Sequence, residues 1–339
     1  MDSAGNTTHT LGLQLVACHL CGHQDSKIKF QLPARKDQVG LYGRDVWDIV
    51  QCNHCNLIYV NPQPDKEALA HYYQFDNVKD QEYLQRWFLD NEDLQRPTWL
   101  RYLRTMTRHS APGKLLDVGC GAGSFLIEAR KIGYDVYGQE VSPFFVAHCS
   151  NIKNLPVFEG ELETLPFEPA SFDYVTTFDV IEHHPNPQQL VETMHALLKE
   201  DGLLVIGTHD IGNIFARWYG KRWRYVQPVG HLTYFSRTTL CRLLENSGFK
   251  ILHVGGIHTV DATDVAEYVR MLTQFVRVIL VRLLIVGIYR PLTKWIPRLS
   301  RWRLKIGSAE LTHEKLLTRA GTQIIMNDNM LILAVKRCA

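Results

Sequence analysis

Residues 115–125 read Leu-Leu-Asp-Val-Gly-Cys-Gly-Ala-Gly-Ser-Phe, and no other stretch of the chain restricts its fold so tightly. The short, mostly apolar run Leu115 to Val118 breaks at Gly119, Gly121 and Gly123. The chain then resumes as Phe125-Leu126-Ile127-Glu128-Ala129, with helical periodicity. A buried strand, a tight glycine turn and a helix in that order open a parallel strand–turn–helix unit. Glycines in the turn permit positive φ and let a ligand approach the backbone, because no Cβ intervenes.

Two nucleotide cofactors compete for such a turn. A dinucleotide fingerprint, G-x-G-x-x-G/A, needs Gly or Ala at position 124, where this chain has Ser124. Asp117 also stands two residues before the first glycine. A carboxylate there is a poor neighbour for pyrophosphate and a good one for a cationic amino acid. Glu140 follows Tyr134-Asp135-Val136-Tyr137-Gly138, a second short strand, and is placed to accept both hydroxyls of a ribose. One acid before the turn and one after the second strand suit S-adenosylmethionine, which carries an ammonium group, a sulfonium and a ribose but no phosphate.

Further motifs follow in a fixed order. Gly160-Glu161-Leu162-Glu163-Thr164-Leu165-Pro166-Phe167 precedes Ser171-Phe172-Asp173-Tyr174-Val175, a fourth strand ending near Phe178-Asp179. Gln188 to Lys199 has helical spacing with Gly202 as its stop signal, and Leu203 to Ile206 reads as a fifth strand. His231-Leu232-Thr233-Tyr234-Phe235-Ser236, a helix to Asn246, a strand over 249–254 and a last strand over 330–335 complete the series. From about residue 111 to 256 this resembles the class I S-adenosylmethionine-dependent methyltransferases. The resemblance implies an α/β Rossmann-like sheet of seven strands with the last one antiparallel. It also implies cofactor contacts from Asp117, Gly119, Gly121, Gly123, Glu140, Glu161, Leu162, Phe178 and Asp179, with Glu161 and Leu162 beside the adenine.

Cys18-His19-Leu20-Cys21 and Cys52-Asn53-His54-Cys55 form two C-x-x-C pairs. Each can bite one ion from a turn, and Cys18, Cys21, Cys52 and Cys55 together complete a tetrahedral thiolate site. Zinc is the natural ion for four sulfurs, although iron takes the same ligand set. His19 and His54 read as bystanders. Cys120, Cys149, Cys241 and Cys338 lack such spacing and read as small apolar residues. Leu57-Ile58-Tyr59-Val60-Asn61-Pro62-Gln63-Pro64 and then His71-Tyr72-Tyr73 look like the stretch that links ribbon to catalytic domain in one methyltransferase subgroup. Members of that subgroup often act on sugars, lipids or small metabolites. The organisation expected is a disordered tail over 1–12, a zinc-ribbon-like part with linker over 13–75 and a helical linker over 76–110. The cofactor domain would span 111–256, a basic helical insertion 257–328 and the final strand 329–339.

Methyl transfer from a sulfonium needs an acceptor atom held in line, and a base only where the acceptor must lose a proton. Ligands bind beyond the carboxyl ends of parallel strands, which directs attention to the segments after strands four and five. Glu182 and His183, in Asp179-Val180-Ile181-Glu182-His183-His184-Pro185, are candidate acid, base or metal ligands. Asp179-x-x-Glu182-His183 is similar to the metal-binding E-x-x-E-H of ubiquinone-pathway O-methyltransferases, with Asp for the first Glu. That departure disfavours magnesium against simple shaping of the loop. His231 is a candidate base that titrates near neutrality, with capping of the next helix as the alternative. Interleaved aromatic and basic residues from Phe215 to Tyr225 read as core packing first, a pocket for an anionic small substrate second and a nucleic-acid surface a distant third.

At 339 residues and 45% apolar the chain can bury a sizeable core and hold more than one domain. Its formal net charge of +2 hides an asymmetry. Tyr268 to Ser308 contains nine Lys or Arg and no Asp or Glu, which leaves 28 basic against 35 acidic residues elsewhere. Within that basic stretch, Phe275 to Tyr289 is strongly apolar, a composition that suits a helix in an anionic membrane interface or a helical cap on the protein. Met1 to Thr10 shows no apolar signal-peptide core, and no uncharged apolar run reaches membrane-spanning length. The expectation is a cytoplasmic enzyme, with peripheral membrane contact open, that methylates a small-molecule, sugar or lipid-linked acceptor. A nicotinamide-dependent sugar-modifying oxidoreductase is the competing enzyme class, disfavoured by Ser124 and Asp117. A zinc-ribbon scaffold with a vestigial cofactor fold is the non-enzymatic alternative, opposed by the intact turn and Glu140.

Overall fold

The computed structural model describes residues 12–73, Leu89, 92–256, 303–306, 309–312 and 329–337. The expectations for the tail over 1–11, for most of 74–91, and for the apolar run 275–289 with its flanking cations lie outside the described residues. Two compact units divide the chain: Met1–Ile257 with Asp328–Ala339, and His258–Asn327.

The first unit opens with β1 (Leu13–Gln14), β2 (Ser26–Pro33), α1 (Lys36–Tyr42), β3 (Val46–Cys52), β4 (Ile58–Val60), β5 (Gln63–Pro64) and α2 (Lys66–Tyr73). Along β3 the side chains of Trp47 and Ile49 alternate inward while Val46 and Asp48 stay wetter, the period-two pattern of a half-buried strand. Trp47, Ile49, Tyr59 and Val60 are fully buried, and Trp47, Ile49 and Val60 pack in one cluster with Trp223, Val226, Val229 and Tyr234 from the later part of the chain.

The α/β part follows as α3 (Glu92–Thr107), β6 (Lys114–Val118), α4 (Ser124–Lys131), β7 (Asp135–Glu140), α5 (Pro143–Asn151), β8 (Val157–Glu159), β9 (Phe172–Phe178), α6 (Pro187–Leu197), β10 (Leu198–His209), α7 (Ile214–Tyr219), β11 (Thr233–Tyr234), α8 (Arg237–Asn246) and β12 (Phe249–Gly256). Short sequence signals bound the helices. Asn186 caps α6 by accepting from the Gln189 N–H, with Pro187 in the first turn, and Ser236 caps α8 by accepting from the Thr239 N–H.

In the second unit, β13 (Arg303–Ile306) and β14 (Ala309–Thr312) pair antiparallel, so this stretch of the basic insertion is strand where composition alone points to helix. The last strand, β15 (Asn329–Lys336), returns to the main sheet.

That sheet has seven strands in the order β12-β15-β10-β9-β6-β7-β8, with β15 antiparallel to both of its neighbours. Consecutive side chains point to opposite faces. Leu116, Leu204, Ile206 and Ile332 therefore pack against α6 and α8, while Leu115, Val205, Leu331 and Leu333 pack against α3 and α4. From β6 the chain runs outward through β7 and β8, then returns to β9 on the other side of β6. The carboxyl ends of β6 and β9 thus flank a topological switch point, where a crevice opens between helices that leave in opposite directions.

Two sequence expectations shift. Gly202 does not stop the helix. α6 ends at Leu197, and Gly202 lies inside β10, in the irregular stretch between the pairs Leu198–Phe172 and Leu203–Tyr174. Strand pairing wins over the residual helical periodicity of 198–199. The ribbon is also not self-contained. Its sheet runs β11-β4-β3-β2, and β11 is contributed from the segment just after His231, with Thr233 opposite Tyr59 and Tyr234 opposite Ile58. Among the described residues no helix is long and apolar enough to cross a membrane.

Candidate functional site

The turn after β6 has positive φ at Gly119 (68°), Gly121 (51°) and Gly123 (72°), but the three glycines answer different demands. A Cβ at Gly119 would lie 2.4 Å from Val180 Cγ2, and one at Gly123 would lie 2.6 Å from Leu155 Cδ1. These two let the turn pack inward. At Gly121 an added Cβ would meet nothing within 4 Å, so its backbone faces open space that a ligand can enter.

Two acids bracket this opening. Glu140, at the end of β7, is buried, and its carboxyl accepts three backbone N–H bonds: Gly121 at 2.9 Å on Oε2, and Val141 at 2.8 Å and Ser142 at 2.9 Å on Oε1. Burial raises its pKa and the three amides oppose that rise. Asp117, near the end of β6, is also buried and accepts the Thr176 hydroxyl at 2.6 Å. Burial pushes its pKa up to about 7, with the nearby Glu140 charge adding to the rise and the Thr176 bond opposing it. The turn, a carboxylate at each of two adjacent strand ends and an open backbone face form a cradle with the shape and charge for a cationic nucleoside that carries no phosphate. The residues present therefore fit S-adenosylmethionine.

Other residues singled out from sequence scatter around this cradle. Leu162 is buried, while Glu161 is half-exposed and pairs with Lys66 at 3.1 Å. Phe178, at the end of β9, stacks on Tyr102 at 4.9 Å and meets Phe125 edge-on at 4.8 Å. Asp179 follows with φ 54°, a left-handed turn that lifts the loop after β9 off the sheet.

That loop meets two others in a second cluster. The Glu182 carbonyl accepts N–H bonds from Leu232 (2.8 Å) and Thr233 (3.0 Å), which ties the loop after β9 to the segment that enters β11. His183 Nδ1 donates to the Gly230 carbonyl at 2.7 Å and His231 Nδ1 to the Tyr225 carbonyl at 2.6 Å. His231 therefore does not cap α8, a task that Ser236 performs. His209, the last residue of β10, was not marked by sequence reasoning. It donates from Nδ1 to Asn329 Oδ1 at 2.5 Å, and its ring stacks on Tyr225 at 3.4 Å. The one sequence signal for it was its position, a polar residue closing an apolar strand at the sheet's carboxyl edge.

One ligand-capable atom each from Glu182, His209 and His231 lies within 4.8 Å of the others. Burial pushes His183 and His209 down to about 3 and His231 to about 4, so all three imidazoles are neutral at pH 7. Burial, helped by the Asp179 charge, raises Glu182 to about 8. Neither Glu182 carboxyl oxygen has a hydrogen-bond partner, an arrangement that typically costs about 1–3 kcal/mol or more. Of the aromatic–basic segment, Trp223 is buried, Tyr225 joins this cluster and Trp218 stays 81% exposed.

The four cysteines of the ribbon converge, with Cys18 Sγ 3.3 Å from Cys55 Sγ and Cys21 Sγ 3.5 Å from Cys52 Sγ. All four sulfurs lie within 4.8 Å of one another, none is in a disulfide, and the His54 N–H points at Cys52 Sγ at 3.4 Å. Neither His19 nor His54 enters the group. This is the donor set and spacing of a closed tetrahedral thiolate site, which fits zinc.

Comparisons with known proteins agree with this geometry. A family model described as a methyltransferase domain matches residues 91–254. An uncharacterized protein of Methanocaldococcus jannaschii is 25% identical over 188 residues, spanning 54% of this chain and 87% of its own length. A ubiquinone biosynthesis O-methyltransferase of Coxiella burnetii is 28% identical over 178 residues, spanning 49% of this chain and 75% of its own length. The protein of the same name from Histophilus somni is 29% identical over 147 residues, or 39% of this chain and 61% of its own length. Among solved structures, a SAM-dependent methyltransferase from Archaeoglobus fulgidus overlays with a TM-score of 0.46 at 17% identity, covering 74% of this chain and 99% of that one. With its sheet order, its switch-point crevice and the matched segment running from α3 into β12, residues 91–254 of this chain form a methyltransferase domain of the class I S-adenosylmethionine-dependent kind, and a zinc-ribbon-like cysteine cluster lies ahead of it.

Proposed function

We propose that this methyltransferase acts on an oxygen of a small-molecule, sugar or lipid-linked acceptor, held beyond the carboxyl ends of β9 and β10 opposite the cofactor turn. The convergence of Glu182, His183, His209 and His231 at that edge of the sheet carries this reading. An acceptor hydroxyl must lose a proton as it is methylated, and this cluster offers unprotonated nitrogens and a carboxyl instead of lysines. Several curated relatives are named for O-methylation, which supports an oxygen acceptor.

On this reading the open Cα face of Gly121 and Glu140 receive the ribose, Asp117 faces the ammonium of the amino acid, and Glu161, Leu162, Phe178 and Asp179 border the adenine and methionine ends. Bound there, S-adenosylmethionine supplies an electrophilic methyl on a sulfonium. Glu182 and His231 orient the acceptor oxygen, and the Glu182 carbonyl bonds to Leu232 and Thr233 keep the two loops in register. The four cysteines hold a structural zinc that fixes the ribbon against β11.

The test is incubation with methyl-labelled cofactor and a panel of phenols, nucleotide sugars and polyprenyl-linked glycans, followed by mass analysis of the products. One class should gain an O-linked methyl. A product methylated on nitrogen or carbon overturns the proposal, as does a panel that stays unlabelled while the protein binds S-adenosylhomocysteine. His231→Gln should lower kcat about 10²–10⁴-fold and leave S-adenosylhomocysteine affinity unchanged.

Asp117 gives the cofactor site a pH dependence. A raised carboxyl pKa means that the folded protein holds the proton up to about pH 7, and only the ionised form attracts the ligand's ammonium. Affinity for S-adenosylhomocysteine should therefore rise about tenfold between pH 6 and pH 8, following the ionised fraction. Glu140 is the charged neighbour in this site, and its own titration lowers affinity in the same direction on acidification. Asp117→Asn should flatten most of the profile in calorimetry. A profile unchanged in that variant would remove Asp117 from the ligand's surroundings.

A further inference from the structure

We propose that Glu182, His209 and His231 form a second metal site, separate from the four cysteines, that takes a first-row divalent cation of the Mn²⁺, Fe²⁺ or Zn²⁺ class. Three chain segments bring these residues together: the loop after β9, the last residue of β10 and the stretch just before β11.

The first argument is what the cluster lacks. Glu182 is only 3% exposed, and neither of its carboxyl oxygens meets a donor at hydrogen-bonding geometry, the nearby Thr208 hydroxyl included. Within the cluster, His209 Nε2 stands 3.6 Å from Glu182 Oε1. That gap is too long for a hydrogen bond, so a shared proton does not fill it. A cation does. Ligand atoms about 2.1 Å from a common ion lie roughly 3–4 Å from each other, a range that includes the His209–Glu182 spacing.

The second argument is how the imidazoles are held. His209 donates its Nδ1–H to Asn329 Oδ1 and His231 donates its Nδ1–H to the Tyr225 carbonyl, so in both rings Nε2 keeps its lone pair. A metal-ligating histidine is typically oriented in this way, with its other nitrogen bonded to an oxygen of the surrounding shell. His183 also bonds through Nδ1, to Gly230, but it is not among the residues whose donor atoms converge.

The ligand set selects the ion. Two imidazoles with one carboxylate suit borderline transition metals, whereas magnesium prefers oxygen alone. The structure thus replaces the oxygen-rich set of Asp179, Glu182 and His183 with one that takes a nitrogen ligand from β10 and another from the segment before β11. Three protein ligands leave coordination positions for water or for oxygens of an acceptor. This role at the acceptor rests on the proposed function above, while the metal site itself does not.

The test uses the full chain, freed of metal by chelation, and two probe ions. Mn²⁺ titration followed by electron paramagnetic resonance should show one tight equivalent that disappears in Glu182→Gln and in His209→Asn. Co²⁺ should bind in two equivalents. One has intense thiolate charge-transfer bands and is lost in Cys52→Ser. The other lacks those bands and is weakened at least about 100-fold in the Glu182 and His209 variants. Asn329→Ala, which touches no ion directly, should weaken the same equivalent about 10–100-fold. Retained S-adenosylhomocysteine binding shows that each variant is folded. If Glu182→Gln fails that control, His209→Asn and the wild-type Mn²⁺ titration decide. A wild type that binds Co²⁺ only through its cysteines and takes up no Mn²⁺ overturns the inference, as do variants that keep both Co²⁺ equivalents. Acceptor methylation without this ion would overturn its role at the acceptor and leave the oxygen-acceptor reading standing. Ion binding together with an N-methylated product would do the reverse.

Discussion

Replacing Glu140 with alanine is expected to weaken cofactor binding by about 10²–10⁴-fold. The figure follows from two hydrogen bonds between a carboxylate and the ribose hydroxyls, each worth about 1.5–3 kcal/mol because one partner is charged. The residue is prepared for that task before any ligand arrives. Its two oxygens are held by the N–H groups of Gly121, Val141 and Ser142, so the carboxyl spends no rotamer entropy on binding. Truncation removes the ligand's partner and also frees three N–H groups, one of them in the glycine turn itself. Stability of the ligand-free protein should fall as well, but less than three buried unpaired donors would imply, because water can enter the open face at Gly121. Calorimetry with S-adenosylhomocysteine and thermal unfolding without ligand separate the two effects. Glu140→Asp should lie between wild type and Ala, since it keeps the charge and shortens the reach. If Glu140→Ala lowered the unfolding temperature and left affinity within threefold of wild type, the residue would be a staple for the turn and nothing more.

The parts of this site that could be read from sequence are those whose physical demands are local. Positive φ at Gly119, Gly121 and Gly123 can be met cheaply only by glycine, so the turn announces itself. Glu140 ends a strand whose length and alternation are visible in five preceding residues. The four cysteines are legible because two C-x-x-C bites are a local pattern that presupposes a partner pair. His209 carries no such mark. It closes a long apolar strand, and its neighbours Glu182, His231 and Asn329 come from distant segments that only the finished sheet brings together. The same reason hid the joint between ribbon and catalytic sheet. β11 is two residues long, too short for any periodicity to reveal, and its pairing with β4 depends on where the Glu182 carbonyl anchors Leu232 and Thr233. At Gly202 a local signal misled for the opposite reason. A glycine after a helical run reads as a stop, but the pairing of Leu198 with Phe172 had already begun the strand.

That joint makes Cys52→Ser the variant expected to lower turnover most without touching the acceptor or the cofactor. Cys52 ends β3 and Cys55 precedes β4, so an ion held by the four cysteines would close the hairpin whose second strand pairs with β11. Structural zinc sites contribute apparent binding energies of about 10–16 kcal/mol in small domains, and much of that is folding energy. Here Trp47, Ile49 and Val60 share an apolar cluster with Trp223, Val226 and Tyr234 that should keep the ribbon from unfolding completely. The end of the sheet nearest the cysteines should fray. β4 would then hold Thr233 and Tyr234 less firmly, and the bond from the Val60 N–H to the Leu232 carbonyl, 2.9 Å in the intact protein, would break. His231 precedes Leu232 directly, so it loses its position while the glycine turn, on the far side of β9, keeps its own. A displacement of about 1 Å at a reacting group can cost 10²-fold in rate. Turnover should therefore fall by about that factor or more in Cys52→Ser, and in wild type stripped by a chelator, with S-adenosylhomocysteine affinity preserved. Hydrogen exchange should quicken over 46–60 and 232–234 and stay slow over 114–140. Full turnover and unchanged exchange in a protein shown to have lost its zinc would mean that the ribbon core alone sets the position of His231, and that the cysteines serve some other purpose.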